Sequence, residues 1–131
     1  YSIDKTLQKK VEDLPELLKT NVELVLGNHD IGCDIKSLKI FSSRKTKNII
    51  FSHEPVNLEN NKTLNICGHY HPKIYLKNKG DKLSFRCFAM DKNKNVLYLP
   101  AFGDLTGGFP CKKSFVKWAI VSEEEIIEIK S

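Results

Sequence analysis

The stretch that decides the fold lies in the middle of the chain and joins a short strand to two histidines. It reads Leu64-Asn65-Ile66-Cys67-Gly68-His69-Tyr70-His71-Pro72. The apolar run 64–67, which ends at Gly68, predicts a buried strand. His69 and His71 are two positions apart, so on an extended segment their side chains project to the same side. Neutral imidazole is a common metal ligand, and Gly68 permits close backbone approach.

Two earlier strands are predicted to end in the same way. Val22 to Leu26 is apolar and leads into Gly27-Asn28-His29-Asp30, and Asn48 to Ser52 leads directly into His53. All four histidines of the chain therefore follow strand ends. Binding sites in α/β sheets form where strands end and loops begin. A lone histidine is usually a satisfied polar side chain, but four in such places predict a shared site.

The two ends of the chain have different patterns. A helical stripe runs through Leu7, Val11, Leu14, Leu17 and Leu18. Pro15 interrupts this stripe, so we expect one helix before residue 13 and a short second helix after it, with Asp13 and Glu16 forming a capping box. The later chain predicts a β-meander with strands at 74–76, 83–90, 96–99, 115–121 and 126–129.

The composition limits the classes of protein to which the chain can belong. The chain has 131 residues, of which 40% are hydrophobic and 28% charged, which excludes disordered and collagen-like chains. The net charge of +5 attracts phosphate-bearing partners, although the scatter of the lysines favours plain solubility. The four cysteines form no CxxC pair and predict reduced thiols, hence a cytoplasmic location. No secretory signal or membrane span is predicted.

The histidine motifs, taken in order, carry a resemblance. Gly27-Asn28-His29-Asp30, then His53, then Gly68-His69-Tyr70-His71 resemble the motif series of the calcineurin-like metallophosphoesterases. His53-Glu54-Pro55 and the segment 99–108 are similar to the ligase-associated branch of that superfamily. The resemblance implies an α/β fold, a sandwich of two mixed β-sheets flanked by helices, in a single domain over residues 1–131.

The resemblance also implies a metal site. Asn28, His53 and His69 would bind the second of two divalent ions, and His71 would bind the first. Manganese is the first choice because oxygen and imidazole ligands together suit it, with Zn²⁺ and Fe²⁺ as alternatives. His69 and His71 also admit a structural zinc clip with Cys67, but the paired ligand spacing typical of such sites is absent.

The implied reaction is metal-dependent hydrolysis of a phosphate mono- or diester by a metal-activated hydroxide. The branch suggests a nucleic acid or nucleotide as substrate, without a membrane partner. His29 would donate a hydrogen bond to the phosphate or protonate the leaving oxygen, and Asp30 would orient His29. The alternative without a catalytic role is that Asn28-His29-Asp30 simply forms a turn at the end of a strand.

One departure from the superfamily pattern limits this reading. The N-terminal motifs Asp-x-His and Gly-Asp-x-x-Asp are absent, which corresponds to a missing first strand-helix-strand unit. The four remaining ligands are all neutral, whereas two divalent ions 3.5–4 Å apart repel by roughly 18 kcal/mol at an effective dielectric constant of about 20. We therefore expect this chain alone to hold one metal ion or none.

The same departure leaves alternatives open. The strand at Val22 to Leu26 is expected to lose a neighbour, so either a preceding segment or a second copy of the chain would cover its edge. The non-enzymatic alternative is a truncated or degenerate domain that binds phosphate or nucleic acid without turnover.

The sequence also predicts the environment of single residues. Gly107-Gly108 predicts a tight turn, and Trp118 is expected in the core. Tyr70 is expected on the face opposite the histidines, or else beside a substrate.

Overall fold

The computed structural model describes residues 5–28, 32, 34–58, 62–103 and 107–130. Two short helices precede a series of strands. The helices are α1 (Lys5–Glu12) and α2 (Leu14–Leu18). The strands are β1 (Glu23–Val25), β2 (Lys39–Phe41), β3 (Ser43–Thr46), β4 (Ile49–Ser52), β5 (Leu64–Cys67), β6 (Pro72–Asn78), β7 (Asp81–Asp91), β8 (Val96–Tyr98), β9 (Phe109–Pro110), β10 (Val116–Ile120) and β11 (Ile126–Ile129).

The helical region divides at Asp13, as the proline predicted. The expected capping box does not form: Asp13 has helical backbone angles, with φ −83° and ψ −7°, and its side chain makes no capping hydrogen bond. Its carboxylate instead accepts a hydrogen bond from Lys9 at 3.1 Å. The second helix ends at Lys19, which adopts the left-handed conformation with φ 53°. Pro15 at the first turn fits because a helix start needs no amide donor there.

The apolar stripe of the helices is largely uncovered. Neither α1 nor α2 has a buried residue, and Leu17 is 74% exposed. A hydrogen bond from Ser37 Oγ to the Glu12 carbonyl, 2.7 Å long, connects the end of α1 to the loop before β2. No helix in the described part of the chain combines the length and apolar character that crossing a membrane requires.

The strands of the described residues form a small parallel sheet and a large sheet of mixed direction. β1 pairs in parallel with β2 as a separate two-stranded sheet. The other strands form one sheet in the order β11-β10-β7-β8-β5-β4-β3, with β6 paired to β7 and β9 paired to β6. Arg44 on β3 joins the two sheets, because its Nε lies 3.2 Å from Glu23 Oε2 and its guanidinium lies over the ring of Phe41. The prediction of mixed sheets with helices is thus met at a coarse level, with strands predominating.

The parallel part of the large sheet contains two of the three strands that precede histidine motifs. β5 lies between β4 and β8 and runs parallel to both. The predicted strand 48–52 and the predicted strand 64–67 are confirmed as β4 and β5, and the run 22–26 is confirmed in shorter form as β1. The prediction missed β2, β3 and β9. β3 is rich in polar residues and ends the strand order, which is where lysine and arginine suit an edge strand.

The eleven-residue strand β7 connects the two halves of the large sheet. Its first half pairs with β6, and its second half pairs with β8 and β10. Cys87 and Ala89 on this strand are fully buried beside Ala119 of β10. Alternation along β10 turns Lys117 inward, so Trp118 is only half-buried and the prediction that it belongs to the core is wrong.

Candidate functional site

Two histidines meet where β4 and β5 end. Parallel pairing places Ser52 opposite Cys67, so the residues that follow both strands emerge at the same edge of the sheet. The amide of Gly68 donates to the carbonyl of His53 at 3.1 Å, which extends the ladder by one step. The Nε2 atom of His53 then lies 2.9 Å from the Nδ1 atom of His69. The rings stand edge to face, with centroids 4.8 Å apart. We call these two side chains the imidazole pair.

A carboxylate faces the other nitrogen of His69. Glu54 Oε1 lies 3.8 Å from His69 Nε2, and the His69 side chain is 33% exposed. A carboxylate on that side favours the tautomer with its proton on Nε2, which leaves the Nδ1 lone pair directed at His53. With this tautomer, His53 Nε2–H donates to His69 Nδ1 across the 2.9 Å between them.

The segment that carries His53 and Glu54 is held by Asn65, a fully buried residue of β5. The Asn65 side chain donates to the Ile50 carbonyl and to Ser52 Oγ, both at 2.9 Å. Its Oδ1 atom accepts from the amide of Val56, also at 2.9 Å. One amide therefore fixes the chain on both sides of His53 and Glu54.

Sequence reasoning assigned no role to Asn65 or Glu54. The available signal for Asn65 was its position, since it shares the inward face of β5 with Cys67 and is polar within a run that was predicted to be buried. A buried amide needs partners, and its partners had to lie on β4 or just beyond it. The sequence marked Glu54 only as part of His53-Glu54-Pro55, the tripeptide that is similar to the ligase-associated branch.

The two histidines after β5 do not lie on an extended segment. His69 and His71 both adopt the left-handed backbone region, with φ of 66° and 48°. The prediction that their side chains project to the same side of one strand is therefore wrong, because β5 ends at Cys67 and the chain turns at Gly68, whose carbonyl accepts from the Tyr70 amide at 2.8 Å. The zinc clip through Cys67 required that shared strand face and loses its basis.

The segment around Gly108 lies against the turn that carries the histidines. The Phe109 amide donates to the His71 carbonyl at 3.2 Å, which begins the pairing of β9 with β6. A Cβ atom at Gly108 would collide with that carbonyl and would lie 2.8 Å from Lys73 Cγ, whereas one at Gly107 would meet nothing. The predicted tight turn at Gly107-Gly108 is not formed, and Gly108 is instead required by close approach of two backbones.

An aromatic cluster adjoins the imidazole pair. The Tyr70 ring contacts His69, Tyr98 and Phe109 edge to face, with centroid distances of 5.4, 5.3 and 6.3 Å. Tyr98 in turn stacks on Phe115 at 5.8 Å. Tyr70 therefore does not pack on the face opposite the histidines, and the first of the two expectations for it is wrong.

A cavity of about 600 Å³ opens beside this cluster. We call it the aromatic cavity. Its walls come from the segment after Glu54, from the β7–β8 hairpin and from the chain around β9, and they include Pro55, Tyr70, Asp91, Lys94, Tyr98, Phe109, Lys112 and Phe115. Burial raises the pKa of Tyr98 to about 12, so its hydroxyl stays protonated at neutral pH.

In the described region, Cys67 and Cys87 are buried, Cys111 is half-buried, and all three thiols are free. Burial raises the pKa of Cys67 to about 11. The sulfurs of Cys87 and Cys111 lie 3.3 Å apart. Their hydrogen bond raises the pKa of Cys87 and lowers that of Cys111, because the proton is held on the more deeply buried sulfur.

The predicted metal ligands are only partly brought together. The structure joins His53 to His69. Asn28 is exposed and follows β1 in the smaller sheet, and His71 is held through its carbonyl by Phe109. Across residues 5–28, 32, 34–58, 62–103 and 107–130, no three His, Cys, Asp or Glu side chains are grouped so as to hold a metal ion. The predicted catalytic residues His29 and Asp30 lie outside the described residues.

Comparison with solved structures finds a similar fold in a nuclease. The fold is similar to the crystal structure of the Pseudomonas putida nuclease MPE, with a TM-score of 0.76 and 26% sequence identity. The similarity covers 95% of this chain and 62% of that chain, so this chain spans less than two thirds of the nuclease's length. No family model matches the sequence, and no curated protein matches it. At this coarse level the neighbour fits the phosphoesterase type of fold that the histidine motifs predict.

Proposed function

We propose that this chain is a calcineurin-like phosphoesterase domain that hydrolyses phosphodiester bonds in nucleic acid or nucleotides with a divalent metal ion, of which manganese is the first choice. The observation that carries the proposal is the imidazole pair, in which two ring nitrogens converge at 2.9 Å at the ends of neighbouring parallel strands. Similarity to a nuclease fold supports the choice of substrate class.

The imidazole pair fits a shared metal ion. Two nitrogens that are each about 2.0–2.1 Å from one ion lie about 2.8–3.0 Å apart at a right angle and about 3.3–3.4 Å apart at the tetrahedral angle, so the observed 2.9 Å matches the right angle of octahedral coordination. The tautomer that Glu54 favours leaves His69 Nδ1 unprotonated, and displacement of one proton from His53 Nε2 completes the donor pair. Asn28 and His71 are the further proposed ligands.

The proposed site assigns a separate role to each of its residues. A bound divalent ion supplies polarisation of the phosphoryl oxygen and a lowered pKa for water. His53 and His69 hold the ion, and Glu54 keeps the His69 ring in orientation, as outer carboxylates do for metal-bound imidazoles. His29 is the proposed proton donor to the leaving oxygen, and Asp30 orients it.

Hydrolysis of a chromogenic phosphodiester tests the proposal. With added Mn²⁺ we expect His53→Ala and His69→Ala to lower the rate about 100-fold or more, because ligand loss exceeds the 10–100-fold effect of outer residues. Lys45→Ala, an exposed change on edge strand β3, is the control and should leave the rate unchanged. His29→Ala should be slow at neutral pH, and an equal rate would remove His29 from the mechanism.

Metal titration provides a second readout that does not depend on turnover. Calorimetry or the Mn²⁺ paramagnetic resonance signal should report at most one site per chain, weakened in the His69→Ala variant. Two tight sites per chain would contradict the charge argument. Wild-type rates in both imidazole-pair variants would overturn the proposed active site.

A second candidate is a domain that binds phosphate or nucleic acid without hydrolysing it. The charge of the donor set favours it: the imidazole pair is neutral, and Glu54, the carboxylate nearest to it, has a side chain that is 66% exposed. Such a carboxylate offsets little of the repulsion between two close cations. Oligonucleotide binding with no hydrolysis at saturating Mn²⁺ would select this candidate.

A further inference from the structure

We propose that the aromatic cavity binds the base of a nucleotide whose phosphate lies toward the imidazole pair. The inference rests on the proposed function for the phosphate end and on the cavity itself for the base end. It adds a substrate-recognition site, in which Tyr70 and Phe109 contact the base.

The cavity and the imidazole pair share a wall. Tyr70 lines the cavity, and its ring lies 5.4 Å from that of His69. Pro55, which also lines the cavity, follows His53 and Glu54 directly in the chain. A ligand that occupies the cavity therefore extends to within one side chain of His69. This is the relation that a nucleotide needs, because its base and its reacting phosphate are separated by one sugar.

The lining of the cavity suits a flat, uncharged ring. Four aromatic side chains line it, and Tyr70 and Phe109 remain 42% and 63% exposed. These two rings contact each other and form a continuous exposed apolar surface, which is the kind of surface that marks a ligand-binding groove. Its volume of about 600 Å³ lies within the range of small-molecule sites. Bases stack on such rings with little dependence on sequence.

The charges at the rim select a phosphate-bearing ligand over an uncharged one. Lys94 and Lys112 both line the cavity, and Lys112 Nζ lies 5.9 Å from the centre of the Phe115 ring. Among the lining residues in the described part of the chain, the acidic side chain is Asp91, which is buried. Its Oδ1 atom accepts from the amides of Asn93 and Lys94 at 3.0 and 3.2 Å, which reduces its repulsion of an anion.

Binding of small ligands without metal tests the inference. Thymidine 5′-monophosphate and deoxyribose 5-phosphate are titrated into the chain in the presence of a chelator, and binding is followed by the ring proton signals of the aromatic residues. We expect the nucleotide to bind about tenfold more tightly than the sugar phosphate, since stacking on aromatic rings favours the base. The signals of Tyr70 and Phe109 should shift only with the nucleotide.

Matched variants assign the effect to the cavity. Phe109→Ala should weaken nucleotide binding about five- to tenfold and leave sugar phosphate binding unchanged, whereas Phe109→Tyr should keep the wild-type affinity because it retains the ring. Tyr70→Ala should act in the same way as Phe109→Ala. Phe102 is fully exposed and does not line the cavity, so Phe102→Ala is the control and should bind as wild type does. Circular dichroism confirms that each variant is folded.

Three results would overturn the inference. They are equal affinities for nucleotide and sugar phosphate, no loss in the Phe109→Ala and Tyr70→Ala variants, and saturation of the cavity by an apolar peptide while millimolar nucleotide leaves its signals unmoved. Failure of the proposed function looks different. Nucleotide binding in the cavity without hydrolysis would leave this inference standing, and hydrolysis with no preference for a base would leave the proposed function standing.

Discussion

The edge of the sheet at which β4 and β5 end differs sharply from the centre, where β7 pairs with β10. The centre is regular: Cys87 and Ala119 are buried in an uninterrupted antiparallel ladder, which also contains the buried Lys117. The edge contains a fully buried amide, Asn65, and two histidines with left-handed backbone. Departures from local structural rules are expected at functional sites, so the contrast agrees with the site proposed at this edge.

Removal of Asn65 should break this contrast most strongly. Asn65→Ala leaves the Val56 amide and the Ile50 carbonyl without their side-chain partner, and unsatisfied buried groups cost about 1–3 kcal/mol each. We expect a loss of about 3 kcal/mol in the free energy of unfolding, measured by urea denaturation, and weaker metal binding because His53 is released.

The control for this experiment lies in the regular centre of the sheet. Cys87→Ala removes one buried sulfur and should cost only about 1 kcal/mol, with no effect on metal binding. If the Cys87 variant is the more destabilised of the two, the buried amide is not what holds the edge together.

Cys67 lies at the end of β5, between the regular sheet and the histidines. The dependence of stability on pH tests how deeply this residue is buried. The folded Cys67 thiol keeps its proton up to a pKa of about 11, whereas an ordinary thiol ionises near 9. Between these values the unfolded chain loses the proton first, so the free energy of unfolding falls as the pH rises from about 9 to about 11. A shift of two pKa units corresponds to about 2–3 kcal/mol.

Urea denaturation at pH 7, 9 and 11 measures this loss. Cys67→Ala is the reference variant, because it removes the titrating group while the opposed shifts of Cys87 and Cys111 remain. The wild type should lose stability more steeply than the variant. Parallel curves would show that burial of Cys67 does not shift its titration.

The smallest expected effect is a gain in stability when backbone strain is relieved. Comparison of two residues with left-handed backbone distinguishes such strain from a role in metal binding. His71 and Lys79 both have left-handed backbone, with φ of 48° and 44°, but Lys79 lies in the exposed turn between β6 and β7. Glycine relieves such strain, so both His71→Gly and Lys79→Gly should gain up to about 1 kcal/mol in thermal or urea unfolding. Only His71→Gly should lose metal binding. Loss of stability in the His71 variant would mean that its side chain serves packing.

The sequence predicts the parts of this fold in which pattern and burial agree. The apolar runs at 49–52 and 64–67 form parallel neighbours, and this pairing brings His53 to His69. Pro15 marks the division between the helices because its ring excludes it from a helix interior. In these cases a local property of the chain decides the outcome.

The remaining features depend on contacts between distant segments, which no local pattern encodes. Strands β2, β3 and β9 are short or polar and exist because a neighbouring strand offers them hydrogen bonds. Asn65 acquires its role only when β4 lies beside it. The left-handed backbone of His69 overrides the extended geometry that its spacing from His71 suggests.

Gly108 has a consequence for how homologous or engineered chains can vary in length. Because no larger residue passes the His71 carbonyl, the chain is anchored at this crossing, and before it the Arg86 side chain donates to the carbonyls of Ala101 and Phe102 at 3.0 and 2.8 Å. Insertions or deletions between these two anchors must be absorbed as a longer or shorter excursion of the loop. The register of β9 and everything after it stays unchanged, which makes this loop the natural place to graft new sequence next to the site.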